Sequence, residues 1–229
     1  MSLAEKYLLG FENKELLDPG LVELILDAFE KNYKEISEFF NYGEIRPVTY
    51  VVDPEYDGVA ATYTEIPKVV MNPRYYEEHI YDADSMTHEL VHVAQNYWRK
   101  RDDSAPRKKW SEMTDEEKAE ARRIHEECMP GWLTEGLADY GRARFGVYNE
   151  KDGWKLPAYH EKQSYTDAYR VTAAFLIWVE ENVTPNLAYQ LNDQLKQHTY
   201  RTSESWKALT GFTVDQLWQL YADASKAAK

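Results

Sequence analysis

The chain has 229 residues, 43% of them hydrophobic, enough to bury a sizeable core in one large domain. Lys plus Arg number 27 against 40 Asp plus Glu, and the net charge of −13 disfavours nucleic acid, an anionic membrane or an acidic substrate as the partner. No apolar run approaches the roughly 20 residues of a membrane span, and the lone Cys128 excludes an intramolecular disulfide and any multi-cysteine zinc knuckle, leaving it the role of a small packed residue.

The start, Met1-Ser2-Leu3-Ala4-Glu5-Lys6, has no signal-peptide core and reads as an expression-vector start joined to a trimmed domain. Residues 1–40 read as a helical N-terminal part. Asp18-Pro19 opens its clearest helix, with aspartate as N-cap and proline at the first position, and Leu21, Leu24, Ile25, Ala28 and Phe29 recur at spacings of three and four. Asn41-Tyr42-Gly43 closes that helix. Residues 44–72 then read as a small, mainly antiparallel sheet, with strands at 47–52, 59–64 and 68–72 and dense turn chemistry at 53–58. Pro67 lacks a backbone donor, which predicts an edge position for the third of these strands, where an extended peptide could pair.

Residues 82–229 read as helical. Asp82 or Asp84 caps a helix that runs to about Trp98 and carries His88-Glu89-Leu90-Val91-His92. Positions i and i+4 share one helical face, so both imidazoles can reach one cation while Glu89, rotated by roughly 100°, flanks its open side. Zinc suits this pattern, because it takes neutral imidazole nitrogens and, in catalytic sites, three protein ligands plus water. Glu89 is then the base for that water. Met86, Leu90, Val91, Val93 and Ala94 make the segment apolar, so the polar triad sits in or beside the core, where unpaired polar groups are costly and a metal resolves the cost. Residues 99–109 read as a charged, solvated loop. Thr114-x-x-Glu117 is a capping-box signature for a helix ending near Cys128, and Pro130-Gly131 punctuates before the next helix.

That next helix holds Glu135 and Asp139, four apart and again on one face, ringed by Trp132, Leu133, Leu137, Ala138 and Tyr140. With Glu135 as third metal ligand, Asp139 one turn on can accept the spare N–H of a ligating histidine. Gly136 is expected to let this helix approach the metal helix closely. His125, Glu126, Glu127 and His160 are competing third ligands, each without such a partner one turn away. A metzincin pattern is absent, since position 95 is glutamine and position 98 tryptophan. A further helix around 163–181 carries Tyr165, Tyr169, Thr172 and Leu176 on a common face. A tyrosine hydroxyl near the zinc could donate to the oxyanion of a tetrahedral intermediate, with His160 as the runner-up donor.

Three blocks, Thr87-His88-Glu89-Leu90-Val91-His92-Val93-Ala94-Gln95, Trp132-Leu133-Thr134-Glu135-Gly136-Leu137-Ala138-Asp139-Tyr140 and Tyr169-Arg170-Val171-Thr172-Ala173-Ala174-Phe175-Leu176, resemble those of the plant basic secretory protein family and its bacterial relatives. Asp57-Gly58-Val59-Ala60, Glu65-Ile66 and Thr213-Val214-Asp215-Gln216-Leu217-Trp218 match as well, so the resemblance spans nearly everything beyond residue 40. It implies an exported, zincin-type metallopeptidase with a glutamate-ligand site like that of the thermolysin-like group, and it singles out Tyr169 as the oxyanion donor because that residue sits in the third block. The acidic balance departs from the basic character of the plant members.

The expectation is therefore a single α+β zincin-like domain over residues 1–229, in which His88, His92 and Glu135 bind Zn²⁺, Glu89 activates water and Asp139 orients a histidine. Its substrate is a protein or peptide, and its native setting is extracytoplasmic, with the export signal missing from the sequence given. The alternative is a non-catalytic peptide- or glycan-binding module that keeps a structural zinc. Closed coordination favours that alternative, and an open fourth position favours the enzyme.

Overall fold

A computed structural model describes residues 1–97 and 108–227. Ser2 caps α1, Leu3–Tyr7, through a capping box with Glu5. The chain then extends into β1, Leu8–Glu12, a strand inside the stretch whose sequence reads as helical. Its reason for existing is non-local: it pairs in parallel with β2, Val48–Val52, a ladder that no periodicity within the first 40 residues encodes. Helix α2, Pro19–Phe40, follows its local signals, with Asp18 accepting the N–H groups of Gly20 and Leu21 and with Leu21, Ile25, Ala28, Phe29, Ile36 and Phe40 all buried.

The sheet is completed by β3, Ala60–Tyr63, and β4, Lys68–Met71, in the order β1-β2-β4-β3. Only β3 and β4 pair antiparallel, while β1–β2 and β2–β4 are parallel, so the sheet is mixed rather than mainly antiparallel. Turn-rich residues between β2 and β3 carry the chain past β4's place to the rim, and β4 returns to fill the gap. Pro67 therefore leads into an inner strand, not an edge. It is tolerated because it precedes the first ladder residue, and its carbonyl accepts the N–H of Thr49. The edge strand next to β4 is β3, with β1 at the opposite edge.

Val48, Tyr50 and Val52 alternate onto the face covered by α2, where the Phe29 and Tyr50 rings meet edge-on at 6.3 Å. The helices that follow are α3, Pro73–Glu78; α4, Ser85–Gln95; α5, Asp115–Cys128; α6, Gly131–Phe145; α7, Asn149–Asp152; α8, Tyr169–Asn182; α9, Leu187–Lys196; α10, Ser205–Thr210; and α11, Val214–Ala227. No helix among the described residues is long and apolar enough to cross a membrane. The architecture is α+β, and its buried apolar residues form one cluster reaching from Leu17 to Tyr221.

Several local expectations shift. Helix α4 stops at Gln95, where Asn96 turns left-handed (φ 37°) and returns its N–H to His92. Trp98 and nearly all of the expected 99–109 loop lie outside the described residues. The Thr114–Glu117 capping box and the end of α5 at Cys128 stand as expected, with Cys128 half-buried. Gly136 does not face α4: a Cβ there would meet Thr172 Cγ2 of α8 at 2.3 Å, so this glycine admits α8. The close approach of α6 to α4 comes instead at Gly141, whose added Cβ would fall 2.4 Å from Val91 Cγ2. Tyr165 does not share a helical face with Tyr169 either. It sits on a separate 3₁₀ turn, Tyr165–Asp167, and the backbone passes through positive φ at the N-cap Ala168 (63°) and at Tyr169 (47°), the first residue of α8.

Candidate metal centre

Helices α4 and α6 run antiparallel, and three layers of contact between them fix the site. At the N-terminus of α4, Arg142 of α6 donates to Asp82 Oδ1 at 2.6 Å, both side chains being buried. Asp82 in turn accepts the N–H of Ser85, the first residue of α4, and the hydroxyl of Tyr75. In the middle, His88 Nδ1 meets Asp139 Oδ1 at 2.7 Å. At the C-terminal end, Gln95 Oε1 lies 2.7 Å from His92 Nδ1, while Gln95 Nε2 donates to the carbonyl of Thr134 at the start of α6.

With both Nδ1 atoms so engaged, both Nε2 atoms turn to the same point. They lie 3.1 Å apart, and Glu135 Oε2 stands 3.3 Å from His88 Nε2 and 3.4 Å from His92 Nε2. Three donor atoms held about 2.0–2.1 Å from a tetrahedral centre would be separated by about 3.3–3.4 Å, so the residues present fit a cation of zinc's size and donor preference. Among the described residues this is the one group of His, Cys, Asp and Glu with such spacing.

The electrostatics carry the same message. Burial opposes charge on His88, yet its contacts with Asp139 and Glu135, and the charge of Glu89, outweigh that and hold it up to about 10. Burial likewise opposes charge on Glu135, but the two histidines keep its carboxyl well below the usual carboxylate range. Two inward-facing nitrogens and a carboxylate at these distances call for a positive charge among them.

Glu89 stands beside this triangle and outside it. Its Oε2 accepts the Thr62 hydroxyl of edge strand β3 at 2.6 Å. Among the described residues Oε1 has no such partner. The group opens on a cleft of about 1180 Å³ whose walls include β3 and Tyr169. The Tyr169 ring stacks on His88, centroids 6.0 Å apart, and the residue is 53% exposed. Burial, with the negative charges of Glu135, Asp139 and Glu89, raises its phenol above the ordinary value and keeps the O–H available as a donor.

The other candidates fall elsewhere. Tyr165 donates to Asp215 and packs on Trp132. His160 is exposed and organises its own turn, accepting the N–H of Lys162. His125 and Glu126 are exposed on α5, and Glu127 binds Ser203. Sequence reasoning missed Gln95 and Thr62. Gln95 had a signal, three residues past His92 on the same face. Thr62 had none, because its contact with Glu89 exists only through the sheet.

The fold and site together define an α+β domain in which a His-x-x-x-His pair on one helix and a carboxylate from an adjoining helix converge in a cleft beside a strand at the sheet edge, a group that could hold a metal ion. The family model described as BSP, peptidase of plants and bacteria, matches residues 13–221, and the chain belongs to that family. No curated protein and no solved structure matches it.

Proposed function

We propose that the chain is a zinc-dependent peptidase that hydrolyses peptide bonds of protein or peptide substrates. The observation that carries this reading is the near-equilateral triangle of His88 Nε2, His92 Nε2 and Glu135 Oε2, open to the cleft on the side where Glu89 stands. Those three residues would hold zinc, with Asp139 and Gln95 fixing the tautomer and orientation of the two imidazoles. Bound zinc supplies Lewis acidity, polarising the scissile carbonyl and lowering the pKa of water toward about 7.

The remaining chemistry belongs to the chain. Glu89, steadied at one oxygen by Thr62, takes the proton of the attacking water on the other and passes it to the leaving amine. Tyr169 donates its hydroxyl to the developing oxyanion, held over His88 by ring stacking. The free edge of β3 offers main-chain partners to an extended substrate, the role that the sequence assigns to the strand after Pro67. Export from the cytoplasm is part of this reading and rests on the resemblance to secretory relatives.

Metal analysis of the purified protein should find close to one zinc per chain, lost in the double variant His88→Ala with His92→Ala. Glu89→Gln should keep zinc and fold while cleavage of a peptide library falls by about 10² to 10⁴-fold, the scale of a lost general base. A chelator control excludes a contaminating protease. Undiminished cleavage by Glu89→Gln, or stoichiometric zinc in the double variant, overturns the proposal. A parent that cleaves nothing leaves the binding-module alternative.

A further inference from the structure

The cleft extends past the candidate metal centre along the N-terminal end of α4, into a recess lined by Tyr75, His79, Asp82, Arg142, Asp152 and Trp154. Its charges do not balance. Asp82 and Arg142 neutralise one another at 2.6 Å, and the guanidinium is further occupied by Asn149 Oδ1 at 3.0 Å and by the Trp154 ring, 4.5 Å away. Asp152, the last residue of α7, is half-buried in the recess wall, and among the described residues its carboxylate has neither a hydrogen bond nor an ion pair. The adjacent Lys151 offers no compensation, because its ammonium lies over the Tyr81 ring at 4.4 Å. Burial, then the charge of Asp82, raises the Asp152 carboxyl, with Arg142 and His79 only partly offsetting this. The recess thus holds one carboxylate without a counter-charge.

A metal is not the natural complement, since among the described residues only His88, His92 and Glu135 have ligand spacing. The walls favour an organic cation. Tyr75, stacked on His79 at 4.2 Å, and Trp154 offer aromatic surface for the stem of a long side chain whose charged head stays at the carboxylate. The net charge of −13 steers cationic partners toward the molecule.

We propose that this recess is a specificity subsite that admits a Lys or Arg side chain of the substrate, flanking the scissile bond, with Asp152 as its charge partner. The proposal rests on the peptidase reading above and names the substrate class for that same cleft.

The test uses peptides blocked at both ends, varied at one position at a time among Lys, Arg, norleucine and Glu, and ranked by kcat/KM. At one fixed position the parent should favour Lys and Arg over norleucine by about 10-fold or more, the scale of one partly desolvated charge contact. Asp152→Asn should collapse that ratio, and Asp152→Lys should turn it toward Glu. Urea unfolding of each variant checks that the fold survives. Cleavage without cation preference at any position, or a ratio that Asp152→Asn leaves intact, overturns the subsite while the peptidase reading stands. If the parent cleaves nothing, the peptidase reading fails. The subsite is then decided by titrating the same peptides into Glu89→Gln protein and following tryptophan fluorescence. Tighter binding of the Lys peptide that Asp152→Asn abolishes supports it, and equal affinities for Lys and norleucine peptides overturn it.

Discussion

Helices α4 and α5 are of similar length and make opposite bargains with their surroundings. Helix α5 carries every local signal: a Thr114/Glu117 capping box, Asp115, Glu116 and Glu117 in its first turn, His125 in its last, and no buried residue. Helix α4 has ten of its eleven residues buried, and its N-cap Asp84 makes no capping bond of its own. Its C-terminal end is satisfied from far away, and its N-terminal end by a near neighbour that is itself held from far away. Asp82, locked to Arg142, accepts the first N–H. Arg46 Nη1 donates to the Val93 carbonyl at 3.0 Å, and Lys196 Nζ donates to those of Ala94 and Gln95 at 3.0 and 2.9 Å. The self-sufficient helix bears none of the candidate chemistry. The helix that bears it is assembled by tertiary contacts, which also hold its side chains to the tenths of an ångström that a shared ligand point demands.

The sharpest way to break this contrast is Arg142→Met, which leaves Asp82 buried without a counter-charge and unfastens α6 from α4. A loss of about 3–5 kcal/mol in urea unfolding is expected, together with weaker metal binding. A loss below about 1 kcal/mol would mean that α4 does not depend on this anchor.

Alkaline titration probes the same dependence through the tyrosines that flank α4. Tyr76 bonds to Ser85 at the start of the helix, Tyr97 follows its end and bonds to Asn192, and burial raises both phenols well above 10. Burial also pushes Tyr200, just past the C-terminal end of α9, up to about 12. The folded state holds protons that the unfolded chain releases from pH 10 upward, so their contribution is complete below pH 10 and falls as pH rises from 10 toward 12 and beyond. Chemical denaturation at a series of pH values should show stability declining across that window. A flat profile would place these hydroxyls in water.

Asp139→Asn sharpens the contrast at the site itself. It keeps shape but weakens acceptance from His88 Nδ1, and metal affinity measured by competition with a chelator should fall by about 10 to 100-fold. Unchanged affinity would reduce Asp139 to packing.

The smallest effect belongs to α5. Thr114→Ala removes its capping bond and should cost about 1 kcal/mol at most, with metal affinity unaltered. If it weakened metal binding as much as Arg142→Met, the division between the two helices would collapse.

Legibility in the sequence follows the same line. The Asp18-Pro19 start of α2, the Thr114 box and the apolar stripe of α2 are governed by interactions within four residues, and they stand where the residues put them. The pairs His88/His92 and Glu135/Asp139 share a face for the same reason, since the helix repeat is a property of the local backbone. Apart from the early end of α4 at Asn96 and the backbone break at Ala168, the errors are non-local. Strand β1, the parallel ladders and the inner position behind Pro67 depend on which strand finds which, and the separate roles of Gly136 and Gly141 depend on which helix lies opposite.

The sequence alone determined the candidate ligands and base, as residue types at spacings that one turn of helix turns into a common face. Only the tertiary structure decided that α6 lies antiparallel to α4 so that Glu135 meets the histidine pair. It also decided that Gln95, not another carboxylate, steadies His92, that edge strand β3 brings Thr62 to Glu89, and that Asp152 lines the same cleft without an ion-pair partner among the described residues. The reason is physical: helical periodicity is fixed within four residues, whereas the meeting of two faces is fixed by the burial of apolar surface among segments that the chain itself separates by tens of residues.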